Sequence, residues 1–350
     1  MKRDITKRLL RWYRKEGRDL PWRRTDDPYA IWVSEIMLQQ TQVATVIPYY
    51  ERFMAAFPTV ADLAYAPLGA VLKVWEGLGY YARARNLHRA AKMILERHQG
   101  TIPGEIIALI SLPGIGRSTA GAIVSIAYGE RAPILDGNVR RVLCRLFAIR
   151  RAPALVPVQQ KLWRLAERLV PDRDPRSFNQ ALMDLGAMVC TPKEPACPSC
   201  CLSPLCLAYQ KGIQKTLPIK TAARKTPHYH VAAGVIWRKG KVLITQRPPE
   251  GLLGGLWEFP GGKLKEGETP SDAVVREIRE ELQIDVAVKG LISNMRHAYS
   301  HFRITLHAFH CCYVKGTPRT SNPYRWVSPE ELSQYPFPVA NRKIITALKK

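Results

Sequence analysis

Apolar residues recur at helical spacing through the first three fifths of the chain, as in Val139, Val142, Leu143, Leu146 and Phe147, with Pro and Gly marking the turns between segments. This pattern predicts an all-α region over residues 1–215. A basic, proline-containing stretch at 216–228, with Pro218 and Pro227, then reads as a linker. Beyond it the period shortens: Val231 to Trp237, Lys241 to Gln246 and Arg303 to Tyr313 read as strands, and the C-terminus reads as helix, which predicts an α/β domain over 229–350. No internal repeat is evident.

The 350 residues carry a formal charge of +24, which favours a polyanionic partner, because each phosphate neutralised releases a counterion from nucleic acid. No apolar run approaches the length of a membrane span, and the N-terminus lacks the apolar stretch of a secretory signal. These features lead us to expect a monomeric protein of the cytoplasm, associated with the nucleoid. Four of the eight cysteines, Cys190, Cys197, Cys200 and Cys206, form a Cys-x6-Cys-x2-Cys-x5-Cys clamp. By spacing alone it suits either zinc or an iron–sulfur cluster. Of the other four, Cys311 and Cys312 are neighbours and Cys201 adjoins Cys200, a poor arrangement for a disulfide framework; Cys144 reads as core and Cys201 as a spare thiol.

Two carboxylates stand out. Asp27 and Pro28 open a helix that carries Glu35 about two turns in, among Ile31, Trp32, Ile36 and Leu38. Desolvation there would raise the pKa of Glu35 and let it act as a general acid. Asp136 immediately precedes an amphipathic helix, where amide hydrogen bonds would keep it ionised; the plain alternative is a helix cap and nothing more. Between them, Leu112-Pro113-Gly114-Ile115-Gly116 precedes a helix opening at Arg117-Ser118, a helix-hairpin-helix signature whose Gly114 and Gly116 can aim amide hydrogens at a phosphate.

Taken together, Trp32 to Thr41, Gly77 to Leu87, the Pro-Gly-Ile-Gly hairpin, Asp136-Gly-Asn and the cysteine clamp closely resemble adenine DNA glycosylases of the MutY type over nearly all of residues 1–215. The resemblance implies hydrolysis of the N-glycosidic bond of adenine mispaired with 8-oxoguanine or guanine in double-stranded DNA, with the adenine flipped into a pocket. It implies that Glu35 protonates the adenine and helps activate water, that Asp136 stabilises the sugar cation, that Asn138 supports the pair, and that Gln180 lies near the pocket. It places Gln40, Thr41, Leu78 and Tyr80 around the mispair, with Tyr80 as the wedge and Tyr81 structural. It makes the clamp a [4Fe–4S] cluster that holds a basic loop, including Lys193, against phosphate. Ser118 stands where strand-cutting relatives of the endonuclease III type carry a lysine, and a serine cannot form a Schiff base, so a monofunctional glycosylase is expected. A DNA-binding iron–sulfur protein without chemistry is the third reading.

In the second half, Gly262-x5-Glu268-x7-Arg276-Glu277 through Ile284 resembles the Nudix box, with Gln283 where the family has glycine. Glu277, Glu280 and Glu281 fall at helical spacings suited to Mg²⁺ on a diphosphate. Phe337 to Asn341 resembles the oxidised-nucleotide hydrolase MutT, in which the matching asparagine reads 8-oxoguanine. Tyr299-Ser300-His301 matches the loop that inspects 8-oxoguanine in MutY-type proteins. Two functions fit this domain: recognition of 8-oxoguanine within DNA, or additional hydrolysis of oxidised nucleoside triphosphates.

Overall fold

A computed structural model describes residues 2–220, 226–299 and 302–348, so Ser300 and His301 lie outside the described residues. The chain folds into two compact units. One comprises Met1–Tyr65 with Asn86–Ala223; the other comprises Ala66–Arg85 with Arg224–Lys350. The first is helical and the second is built on a sheet, as the change of period predicts. The division is not a single cut along the chain, because residues 66–85, within the helical stretch of sequence, belong to the second unit. Among the described residues no helix is long and apolar enough to cross a membrane.

In the first unit, the helix Pro28–Leu38 starts where Asp27 accepts from the amides of Tyr29 and Ala30. Ile31, Trp32, Val33, Ile36 and Met37 are all buried, so this helix is apolar nearly all round and runs through the interior. The helix Arg117–Ala127 crosses close to the chain ahead of Asp136: a Cβ at Gly121 would lie 2.1 Å from the carbonyl oxygen of Pro133, an approach that glycine alone permits. The helix Gly137–Leu146 follows, with Val139, Val142, Leu143, Cys144 and Leu146 buried on the face the periodicity predicts. They join a core with Ile5, Leu9, Leu162 and Phe178.

The cysteine loop leaves this core through a π-helical turn, Leu185–Val189, and is organised by one buried side chain. Arg145 is 1% exposed and donates to the carbonyls of Leu217 (2.9 Å), Thr191 (2.7 Å) and Pro192 (3.0 Å) and to Cys190 Sγ (3.3 Å). A loop with few apolar residues is held here by its carbonyls converging on one guanidinium.

The described residues of the second unit form a seven-stranded sheet from β1 (His228–Arg238), β2 (Lys241–Gln246), β3 (Trp257–Glu258), β4 (Gly261–Lys263), β5 (Asp285–Ala298), β6 (Arg303–Lys315) and β7 (Tyr324–Val327). The main order is β3-β2-β1-β6-β5, with β4 beside β1 and β7 beside β2; β1 and β6 run parallel. The helix Pro270–Leu282 covers one face through Ala273, Val274, Ile278 and Leu282, and the C-terminal helix Val339–Leu348 packs on the other through Ala340 and Ile344. All three predicted strands are present, within β1, β2 and β6. β5 was not predicted: its register shifts at three points and much of it is exposed, which erases the two-residue alternation. Gln283 ends the helix Pro270–Leu282 at φ 56°, the left-handed conformation that explains why its family has glycine there.

Candidate active site

Glu35, Asp136, Asn138, Ser118 and Gln180 line one cavity of about 640 Å³ in the helical unit, and Gln39, Thr41, Arg18, Arg23 and Arg141 complete its walls. Two acids separated by a hundred positions in sequence therefore face the same space. Gln40 is exposed beside it with φ 58°.

Glu35 keeps part of its surface accessible, and that surface borders the cavity. Burial pushes its pKa up to about 7, the charge of Asp136 adds to the rise, and Arg23 partly opposes it. Asp136 accepts from the amide of Val139 at 2.7 Å and from Asn138 Nδ2 at 3.2 Å. The cap is as predicted and its bonds, with the nearby Arg141, favour the ionised form; burial nevertheless raises the pKa of Asp136 above the ordinary value. Desolvation outweighs the bonds, a balance that residue spacing does not reveal. The asymmetry between the acids survives, because the donors are aimed at Asp136 and make it the better seat for the shared negative charge.

Asn138 is held from behind. Arg141 donates to Asn138 Oδ1 (2.8 Å), to the carbonyl of Gly186 (2.6 Å) and to that of Cys190 (2.7 Å), which turns the Asn138 amide nitrogen toward Asp136. Gly186 lets the π-turn close on this residue, since a Cβ there would sit 2.7 Å from that of Asn138. The cysteine loop and the acid are thus joined through one arginine, which sequence reading missed. Gln180 Oε1 accepts from the Tyr13 hydroxyl at 2.5 Å, leaving its NH₂ as the free donor group.

Beneath the cavity Asp184 is fully buried and receives Arg18 Nε (2.7 Å) and two bonds from Arg23 (2.7 and 2.8 Å). Burial alone would raise its pKa; the bonds from Arg23 and Arg18 outweigh that and hold it below the ordinary carboxylate range. The only signal for this network in the sequence is an acid following the apolar run Ala181 to Met183.

Gly114 has φ +80°, and a Cβ there would meet that of Asn86 at 2.9 Å, whereas Gly116 caps the helix Arg117–Ala127 with open space beside it. The conformational demand therefore falls on Gly114, and Gly116 leaves room for an approaching group. Ser118 Oγ accepts from the amide of Leu135 at 3.2 Å, tying the hairpin helix to the residue before Asp136.

Cys190, Cys197, Cys200 and Cys206 surround one small cavity with Arg145, Tyr209 and Gln214. Burial raises the pKa of the thiols of Cys190, Cys197 and Cys206, and neighbouring thiols add to the rise. Among the described residues no three His, Cys, Asp or Glu side chains are grouped as a metal-ion site, which applies equally to the glutamates of the second unit.

In that unit Leu78 is 6% exposed, whereas Tyr80 is 38% exposed with φ 49°; Tyr81 is buried and its hydroxyl accepts from the amide of Gly77. A separate cavity of about 590 Å³ is lined by Arg247, Glu258, Phe259, Glu281, Tyr299 and Asn341 among others. Asn341 Oδ1 accepts from the Phe259 amide at 2.9 Å, which points its NH₂ as a donor. Tyr299 stacks on Phe302 with ring centroids 4.8 Å apart. Of the three glutamates of the Nudix box, Glu277 (2.8 Å) and Glu280 (3.1 Å) both contact Arg276, while Glu281 lines the cavity, its pKa pushed up to about 7 by burial and by Glu258 and Glu277.

Comparison with known proteins agrees with this arrangement. Residues 33–168 match the HhH-GPD superfamily base excision DNA repair protein family, and residues 232–347 match the NUDIX domain family. The human adenine DNA glycosylase is 37% identical over 96% of this chain and 72% of its own length. That of Buchnera aphidicola subsp. Schizaphis graminum is 38% identical over 85% of this chain and 84% of its own. Among solved structures, a thermostable thymine-DNA glycosylase aligns with a TM-score of 0.56 and 33% identity, covering 60% of this chain and 97% of that one. A non-covalent endonuclease III–DNA complex aligns with a TM-score of 0.51 and 25% identity, covering 61% of this chain and 99% of that one. The adenine DNA glycosylases align with this chain over most of its length, across both the helix-hairpin-helix and the Nudix matches, and the chain belongs to the adenine DNA glycosylases of base excision repair.

Proposed function

We propose that this enzyme removes adenine mispaired with 8-oxoguanine, or with guanine, from double-stranded DNA and leaves the strand uncut. The observation that carries the reading is the meeting of Glu35 and Asp136 on one cavity whose wall also holds Gln180 and Ser118. The adenine is flipped into the cavity, where the Gln180 NH₂, fixed by Tyr13, donates to a ring acceptor. Protonated Glu35 gives its proton to the adenine, at N7, as the glycosidic bond breaks. Anionic Asp136, steadied by Asn138, stabilises the sugar cation, and the carboxylate left on Glu35 then draws a proton from the attacking water.

Ser118 has no amine with which to attack the sugar, and its hydroxyl oxygen is engaged by Leu135. Purified enzyme should therefore release free adenine from an adenine:8-oxoguanine duplex, with strand breaks only after alkali. Breaks without alkali would overturn the monofunctional reading, and no free adenine would overturn the substrate.

The rate of base release at saturating enzyme should fall about tenfold per unit above pH 7, because the working form of Glu35 is protonated and its pKa is about 7. On the acid side the rate should decline as Asp136 is neutralised. A single-turnover profile that rises from pH 7 to 9 would exclude Glu35 as the acid.

The four cysteines hold a [4Fe–4S] cluster in this reading. Four thiols surround one cavity, a donor set that suits such a cluster, and the MutY-type resemblance favours it over zinc. The cluster, when bound, would supply cross-linking of the loop rather than electrons; Arg145 and Arg141 tie that loop to Asn138, and Lys193 extends it toward phosphate. The hairpin at Gly114 and Gly116, with Gln40, Thr41 and Leu78, borders the bound duplex, and Tyr80 fills the gap left by the flipped base.

The Nudix-like unit reads 8-oxoguanine in DNA through Tyr299 and Asn341, whose donor NH₂ borders the cavity. Hydrolysis of nucleoside triphosphates is not favoured, because the relatives that align over most of the chain are named adenine DNA glycosylases.

A further inference from the structure

The turn that carries Tyr80 is fastened at both ends to loops of the Nudix-like unit. On its N-terminal side Glu76, 11% exposed at its side chain, accepts from the amide of Phe337 at 2.9 Å. Lys73 Nζ reaches both Glu76 (2.8 Å) and the carbonyl of Tyr335 (3.2 Å). On the C-terminal side Arg85 donates to the carbonyls of Gly254 (3.0 Å) and Gly251 (2.8 Å). Between these anchors the turn is stiffened internally: Trp75 Nε1 donates to the carbonyl of Gly79 at 3.0 Å, and Gly77, Gly79 and Tyr80 all have positive φ. Tyr80 is exposed, with the Arg83 guanidinium 5.2 Å from its ring centroid.

The anchors adjoin the wall of the second cavity, whose lining includes Leu252, Leu253 and Pro338, each next in the chain to an anchor. The ring of Phe337 stacks on Phe259 with centroids 5.7 Å apart, and the Phe259 amide is the donor to Asn341. Glu76 therefore reaches the backbone of a residue one ring away from the candidate 8-oxoguanine reader, and a shift of that wall has a direct mechanical route to the turn.

We propose that Glu76 and Arg85 are positioning residues that lock the Tyr80 turn to the base-reading cavity, so that seating 8-oxoguanine and driving the wedge into the duplex are one coupled event. This rests on the wedge role given to Tyr80 above. A glycosylase that scans an excess of undamaged duplex needs extrusion to follow recognition of the opposite base, and a rigid clasp between wedge and reader provides that order.

The test is a mutant cycle on the full-length protein, read as dissociation constants for a duplex with a non-cleavable adenine analogue opposite 8-oxoguanine and for the undamaged duplex. Glu76→Ala and Arg85→Ala should each weaken lesion binding about fivefold to tenfold relative to undamaged binding, the scale of one or two lost hydrogen bonds. Glu76→Gln keeps an acceptor for the Phe337 amide and should behave as wild type. In a Tyr80→Ala background Glu76→Ala should add nothing, because Glu76 acts through that ring. Equal losses from Glu76→Ala with and without Tyr80 would overturn the clasp, as would unchanged selectivity in both single anchor variants while Tyr80→Ala is impaired. An unimpaired Tyr80→Ala would instead remove the wedge role itself. Circular dichroism melts, unchanged within a few degrees, identify variants that fold.

Discussion

Replacement of Glu35 by glutamine should reduce the single-turnover rate of adenine release by about a thousandfold or more while leaving affinity for the mispaired duplex within about twofold. Glutamine fills the same space and retains a hydrogen-bonding end, but it has no proton to give to a departing purine. The variant carries a second expectation that tests the electrostatics separately from the chemistry. In the unfolded chain Glu35 ionises near its ordinary 4.5, whereas in the folded chain it holds its proton to about 7. Below 4.5 both states are protonated and the residue costs nothing. As pH rises from 4.5 to 7 the unfolded chain loses the proton first and the native state loses stability; above 7 the full penalty, up to about 3 kcal/mol, persists. Glu35→Gln removes that term, so urea unfolding should find it more stable than wild type at pH 8 and equal at pH 4. A loss of activity without this pH-dependent gain would place Glu35 in the reaction but outside a desolvated site. Retention of activity would end the two-acid mechanism.

The largest stability effect expected from one substitution is at Asp184. Asp184→Ala leaves Arg18 and the largely buried Arg23 without their carboxylate, at a cost of about 3–5 kcal/mol. For a unit of this size the melting temperature should fall by roughly 10 °C. Because Arg23 also lines the catalytic cavity and opposes the raised pKa of Glu35, the loss should reach the active site as well as the fold. Asp184→Asn keeps one acceptor oxygen, puts an NH₂ donor in place of the other and removes the charge; with part of the bonds retained, it should fall between wild type and Asp184→Ala. A drop below about 1 kcal/mol in Asp184→Ala would show that water or a neighbouring group replaces the carboxylate.

What could be read from the sequence and what could not divide along physical lines. The start of the Glu35 helix was legible because Asp-Pro is a local signal, and the cap at Asp136 because it precedes a clean helical period. Burial of Cys144 and the strand β2 were legible for the same reason, each being set by residues within one or two turns. The identity of the two acids as a pair required the family resemblance, since nothing between positions 35 and 136 specifies that they meet. The sign of the Asp136 shift was not legible at all: it depends on how much water three distant segments exclude. Arg141, Arg145 and Asp184 were overlooked because their partners are backbone carbonyls and arginines far along the chain, and an arginine on an amphipathic helix looks the same in sequence whether it is solvated or central. β5 was missed because its irregular pairing hides the alternation by which a strand announces itself.

The assignment of residues 66–85 to the second unit changes what counts as a part of this protein. A gene truncated after the basic connector would still encode every residue of the catalytic cavity, yet it would strip twenty residues of their packing partners and leave apolar side chains such as Leu72 to the solvent. Such a fragment should be read as a damaged enzyme rather than as a minimal one, and recombination that swaps C-terminal halves between relatives would have to carry this internal segment along with them.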